Sequence, residues 1–122
     1  NFLIAEDNGI NLDMLKELLK EEGAACDCAK NGMAAVDLFR HSKKGQYDLI
    51  FMDVQMPDMD GYEATRAIRQ MKHPDAKDIP IVAMTANAFS NDVKAAFDCG
   101  MNAHLAKPVN IDRIKDIVAN FT

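Results

Sequence analysis

Asp53 ends the apolar run Leu49-Ile50-Phe51-Met52 and is followed by Val54-Gln55-Met56-Pro57-Asp58-Met59-Asp60-Gly61. The run reads as a buried strand, and Pro57 and Gly61 then force a loop. A second acidic pair, Glu6-Asp7, follows another apolar run, Phe2-Leu3-Ile4-Ala5. If these strands are neighbours, three carboxylates converge, and a cation is needed to relieve their repulsion. Thr85 and Lys107 follow two further apolar runs in the same way. Carboxylates, a hydroxyl and an ammonium together suit phosphoryl chemistry. Hard carboxylate oxygens hold Mg²⁺, for which Mn²⁺ is an alternative. The metal and Lys107 would each neutralise a phosphoryl oxygen. Asp53 could attack phosphorus to form an aspartyl phosphate, and the Thr85 hydroxyl could donate to a phosphoryl oxygen. No Ser-His or Cys-His pair stands out for acyl chemistry. Neither of the common glycine-rich nucleotide cradles occurs.

The elements that must position these side chains alternate strictly. Residues 2–5 form the first strand. Asn8 or Asn11 caps a helix running to about Glu22, with Leu12, Leu15 and Leu19 on one face and Gly23 as its stop. Residues 24–29 are a weak strand, and Gly32 to about Ser42 a helix burying Ala35, Val36 and Phe39. After the polar Lys43-Lys44-Gly45-Gln46 loop comes the central strand, 48–52. Asp60 caps a helix with Ala64, Ala67, Ile68 and Met71 at helical spacing. A polar connection, 72–78, leads to a fourth strand, 79–84. Ser90 or Asn91 caps a short helix ending at Gly100, with a thin apolar face of Val93, Ala96 and Phe97. Residues 102–106 are the fifth strand, and Asn110 caps a last helix burying Ile111, Ile114, Ile117, Val118 and Phe121. Five strands alternating with five helices imply right-handed crossovers and a parallel α/β sheet covered on both faces. In such a sheet the strands' carboxyl ends share one edge, where ligands bind.

The bulk numbers agree with one ordinary domain. The 122 residues suit a single core, and 48% apolar with 27% charged residues excludes a disordered segment. A net charge of −5 argues against a general binder of nucleic-acid phosphates. No apolar stretch approaches the roughly 18 residues of a membrane span, and no stretch reads as a signal peptide. Cys26, Cys28 and Cys99 read as small apolar side chains in a reducing cytosol. The chain starts at Asn1, almost inside its first strand, and so reads as a piece of a longer protein.

Ala5-Glu6-Asp7-Asn8, Met52 through Gly61, Met84-Thr85-Ala86-Asn87-Ala88 and Leu105-Ala106-Lys107-Pro108 together resemble response-regulator receiver domains of two-component signalling. The resemblance covers essentially the whole chain. Asn8, Asn11 and Gln55-Met56-Pro57 are most similar to receivers of hybrid sensor histidine kinases. The resemblance implies a flavodoxin-like (βα)5 fold with strand order 2-1-3-4-5; that order for a chemotaxis receiver is a general example of the fold class. It implies Asp53 as phosphoacceptor, Asp7 as direct Mg²⁺ ligand, Glu6 as a ligand mainly through water, and the Gln55 backbone carbonyl as a further ligand. Thr85 and Lys107 would bind the phosphoryl group, and the Lys107-Pro108 bond would be cis. The switch pair would be Thr85 and His104, although histidine departs from the Tyr or Phe commonest at that place. The positions of Gln55 and Asn87 would influence the phosphoryl lifetime. The partner would be a histidine kinase or a histidine phosphotransfer domain, with the receiver in the cytoplasm and any membrane attachment left to a parent kinase.

Simpler readings stand beside these. A lone Asp at a strand end is usually a cap, and it is the company of Glu6-Asp7, Thr85 and Lys107 that favours chemistry at Asp53. Asp58 and Asp60 read as turn and cap residues. His104 reads as a half-buried side chain rather than a metal ligand. His41 and His73 read as incidental, Lys43-Lys44 as a solvated loop and the eight methionines mostly as core, with Met56 or Met59 exposed toward a partner. Three alternatives stay open: a receiver acting alone or fused to a DNA-binding domain, a Mg²⁺-dependent phosphohydrolase with an aspartate nucleophile, and a pseudo-receiver that only binds.

Overall fold

The computed structural model describes residues 1–56, 58–86, 90–107 and 110–121, with the backbone alone for 90–92. Among them the element order is β1 (Phe2–Ala5), α1 (Gly9–Glu21), β2 (Cys26–Ala29), α2 (Gly32–Arg40), β3 (Leu49–Asp53), α3 (Gly61–Arg69), β4 (Ile81–Thr85), α4 (Ser90–Cys99), β5 (Ala103–Ala106) and α5 (Ile111–Phe121). All strands are parallel, in the order β2-β1-β3-β4-β5. This is the flavodoxin-like architecture that the resemblance implied. β3 is buried along its whole length at the centre, as its uninterrupted apolar run requires.

Strand alternation divides the core into two layers. Leu3, Ala5, Ile50, Met52, Ile81 and Ala83 face α2, α3 and α4 through Ala35, Phe39, Ile68 and Ala96. Phe2, Ile4, Leu49, Phe51, Val82 and Met84 face α1 and α5 through Leu12, Leu15, Leu19, Ile114 and Ile117. Helix starts follow local chemistry. The Asn8 side chain accepts from the N–H groups of Ile10 and Asn11, so Asn8 rather than Asn11 is the cap. Asn31 and Asp60 cap α2 and α3 in the same manner.

Several expectations shift. β3 reaches one residue further than expected, taking in Asp53, and β4 runs 81–85, so Thr85 is its last residue. α5 fully buries only Ile114 and Ile117, while Ile111, Val118 and Phe121 are half-buried. In α4, Ala96 and Cys99 make the buried contact and Phe97 is 48% exposed, which corrects the expected face. Met56 is buried and Met59 half-buried, whereas the exposed methionines are Met14 and Met33. His73 is not incidental. Its ring packs 4.4 Å from that of Phe39, accepts from Asp75 N–H and meets the Ser42 carbonyl at 2.9 Å. The expectations for Pro57, Asn87, the α4 cap side chains and the Lys107-Pro108 peptide lie outside the described residues. No described helix is long and apolar enough to cross a membrane.

Arg69, at the end of α3, fastens the side of the sheet that carries β4 and β5. Its Nε and Nη2 donate to the Gly100 carbonyl at 3.0 and 2.8 Å, and Nη1 donates to that of Ala76 at 3.0 Å. Nη2 also reaches Asn102 Oδ1, which in turn accepts from Ile81 N–H at the start of β4. A planar guanidinium can serve these diverging acceptors, and an ammonium cannot. Arg69→Ala should therefore destabilise the domain by about 2 kcal/mol, and Arg69→Lys should recover only part of that. Urea unfolding should show a lower midpoint with an unchanged slope.

Candidate functional site

The site is built where β1, β3, β4 and β5 end. β1 and β3 are adjacent and in register, with Ala5 opposite Met52, so Glu6 and Asp53 leave the sheet side by side. Glu6 and Asp53 are each 2% exposed, and Thr85 is 5% exposed. In strand phase, Glu6, Asp53 and Lys107 continue the rows of Ile4, Phe51 and Leu105, which face α1 and α5. Thr85 continues the row of Ile81 and Ala83 on the opposite face. The edge therefore places the acids and the ammonium on one side and the hydroxyl on the other.

Lys107 links the two buried acids. Its Nζ lies 2.9 Å from Asp53 Oδ2 and 3.1 Å from Glu6 Oε2. The β4–β5 pairing brings it there, and Lys107 N–H donates to the Thr85 carbonyl at 2.8 Å. Asp53 Oδ1 accepts from Gln55 N–H at 3.1 Å, which turns the chain just after β3. Asp53 Oδ2 is buried and accepts no aligned hydrogen bond; the Lys107 contact is an ion pair. Glu6 Oε1 accepts from Asn8 N–H at 3.1 Å, so both Glu6 oxygens are engaged. Asp7 is exposed, and its carboxylate has no hydrogen bond or ion pair among the described residues.

The electrostatics record the crowding. Burial foremost, and then Asp53 beside it, push Glu6 from 4.5 up to about 7. Burial works to lower the Lys107 pKa, but the Asp53 and Glu6 carboxylates outweigh it and raise the value, keeping the ammonium charged. One oxygen from each of Glu6, Asp7 and Asp53 lies within 4.8 Å of the others. Three hard carboxylate oxygens gathered in this way fit a divalent cation such as Mg²⁺, around which they would draw closer together.

The remaining expected residues fall around this centre. Gln55 is exposed just beyond Asp53, and Asp58 takes φ +68, as a turn residue can. His104 is half-buried on β5, opposite Ala83. It shares a sheet face with Thr85 and lies diagonal to it across the β4–β5 pair.

In the sequence Gly61 reads as a loop former, yet it shapes the site directly. A Cβ there would stand 2.3 Å from the Asp53 carbonyl oxygen and 2.8 Å from Val54 Cα. Its N–H donates to the Val54 carbonyl. The absent side chain lets the start of α3 press against the backbone that carries Asp53. The only sequence signal was a glycine directly after a helix cap. Gly61→Ala should destabilise by about 1–3 kcal/mol through overpacking, visible as a lower melting temperature with the helical circular dichroism retained.

Residues 2–119 match the response regulator receiver domain family. The chain is 39% identical over 127 residues to probable histidine kinase 2 of Oryza sativa, covering 95% of this chain and 12% of that relative. A similar solved structure is the receiver domain of a sensor histidine kinase from Pseudomonas aeruginosa, with magnesium coordinated in its active-site cleft. It is 33% identical with TM-score 0.88, and the match covers 98% of this chain and 94% of that one. Another is the receiver domain of Ssk1 from Saccharomyces cerevisiae, solved with the histidine phosphotransfer protein Ypd1. It is 33% identical with TM-score 0.86, covering 99% of this chain and 87% of that one.

Proposed function

The chain belongs to the response regulator receiver domain family, and on that premise we propose that Asp53 is its phosphoacceptor and that Mg²⁺ assists the transfer. The observation that carries this reading is the convergence of Glu6, Asp7 and Asp53 at one sheet edge, with Lys107 bridging the buried pair. A phosphohistidine of a histidine kinase or histidine phosphotransfer domain supplies the phosphoryl group. An Asp53 carboxylate oxygen bonds to phosphorus as the P–N bond breaks, and that electron pair stays on the imidazole nitrogen.

The family resemblance supplies the roles, and the engagement of each carboxylate supports them. Asp7 and Asp53 are the direct carboxylate ligands, since Asp7 is exposed and uncommitted. Glu6 acts through water, since Lys107 and Asn8 N–H already hold its oxygens. The Gln55 carbonyl completes the protein's share. When bound, the ion supplies positive charge for the phosphoryl oxygens. Lys107 turns to the phosphoryl group, and the Thr85 hydroxyl donates to it from the opposite face. Thr85 and His104, diagonal on one sheet face, carry the change toward α4. The histidine kinases among its relatives, of which the chain spans only a small part, support one receiver domain within a longer hybrid histidine kinase. The domain itself works in the cytoplasm.

Incubation with acetyl phosphate and Mg²⁺, followed by intact mass, should add one phosphoryl group to the wild type. Asp53→Asn, and omission of Mg²⁺, should abolish the addition. Equal labelling of Asp53→Asn would overturn the assignment.

Metal binding has its own readout. Mg²⁺ at about one hundred times its dissociation constant should stabilise the domain by about 2.7 kcal/mol, raising its melting temperature by several degrees. Asp7→Asn should remove most of that rise.

A further inference from the structure

The edge opposite the site gathers exposed lysines, with Asp48, Asp75 and Asp78 among them. Lys43 and Lys44 stand between α2 and β3, and Lys72 and Lys77 between α3 and β4; all four are exposed. None forms an ion pair among the described residues. The two connections are joined as one surface. Gly45 N–H donates to Asp75 Oδ2 at 2.7 Å, and His73 binds Ser42 while packing on Phe39. Beside the join lies a groove of about 650 Å³ lined by Arg69, Met71, Lys72, His73, Lys77 and Asp78. Arg69 is committed to carbonyl oxygens and forms a fixed wall, whereas Lys72 and Lys77 are free to reach a ligand.

We propose that this groove and its lysines are a docking surface for an acidic protein segment, separate from the phosphorylation edge. The chain carries −5 overall, and Glu6, Asp7 and Asp53 gather at the other edge. An acidic partner is therefore repelled from the phosphorylation edge and steered to this one. The groove's concavity suits carboxylate side chains of a short peptide better than a flat bilayer, and Met71 and Pro74 add apolar lining for the peptide stem. Nucleic acid would require a longer array of phosphate contacts on a chain of opposite net charge. Five-residue β3 separates the edges by roughly 16 Å, beyond the Debye length of about 8 Å. The segment would thus leave Asp53 accessible to its donor.

The test is fluorescence anisotropy of a labelled glutamate-alanine octapeptide at low and physiological salt. Wild type and a Lys16→Glu/Lys20→Glu control on α1 should bind it saturably, more weakly as salt rises. Lys72→Glu/Lys77→Glu should bind about tenfold or more weakly while keeping its circular dichroism and its labelling by acetyl phosphate. Retained labelling separates loss of this surface from any failure at Asp53. The proposal is overturned by absence of saturable binding, by equal binding to the Lys72→Glu/Lys77→Glu variant, or by binding to phosphatidylserine vesicles without binding to the peptide.

Discussion

One ammonium holds this site together. Lys107 is 101 residues from Glu6 in the chain, and its Nζ meets both Glu6 and Asp53. Everything that positions it is strand geometry: the β4–β5 register, the Lys107 N–H bond to the Thr85 carbonyl, and the strand phase it shares with Glu6 and Asp53. One positive charge does not balance three carboxylates. Burial first, and then Asp53 beside it, raise Glu6 to about 7. A divalent ion would add the missing charge, and a phosphoryl group would add negative charge that Lys107 and such an ion could absorb together.

The fold was legible because its signals are periodic and local. Apolar runs of strand length, separated by helical spacing and ended by Asn8, Asp60, Gly23 or Gly100, leave little freedom in element type. The carboxyl-edge rule then placed Glu6-Asp7, Asp53, Thr85 and Lys107 together without a distance being known. The strand order needed the family resemblance, because neither pattern nor spacing says which strand lies beside β1.

What could not be read depends on tertiary contact. The Gly61 contact exists only because α3 folds back onto the end of β3, and one glycine in a sequence does not reveal its neighbour. His73 lies in a polar stretch, and its stacking on Phe39 follows from two connections meeting after the sheet is assembled. Arg69 reads as one more charge at a helix end, yet its half-buried guanidinium ties Gly100, Ala76 and Asn102 together. Phe97 has helical spacing with Val93, but Ala96 and Cys99 already fill the contact and leave it outside.

These contacts also bias which side of the site can move. On the β3–α3 side, the backbone approaches at Gly61 and Gly32 leave no room for even a methyl group, so movement there meets immediate overlap. On the β4–α4–β5 side, Ala96 and Cys99 are the fully buried contacts of α4 among residues 93–99, Phe97 is already half in solvent, and His104 is half-buried beside the Thr85 row. Arg69 anchors the far end of this side through Gly100 and Asn102, so displacement there is a pivot near the site rather than a detachment. A charge change at Asp53 therefore meets a rigid wall on one side and a thinly packed helix on the other. Uneven packing of that kind gives a local electrostatic event a preferred direction.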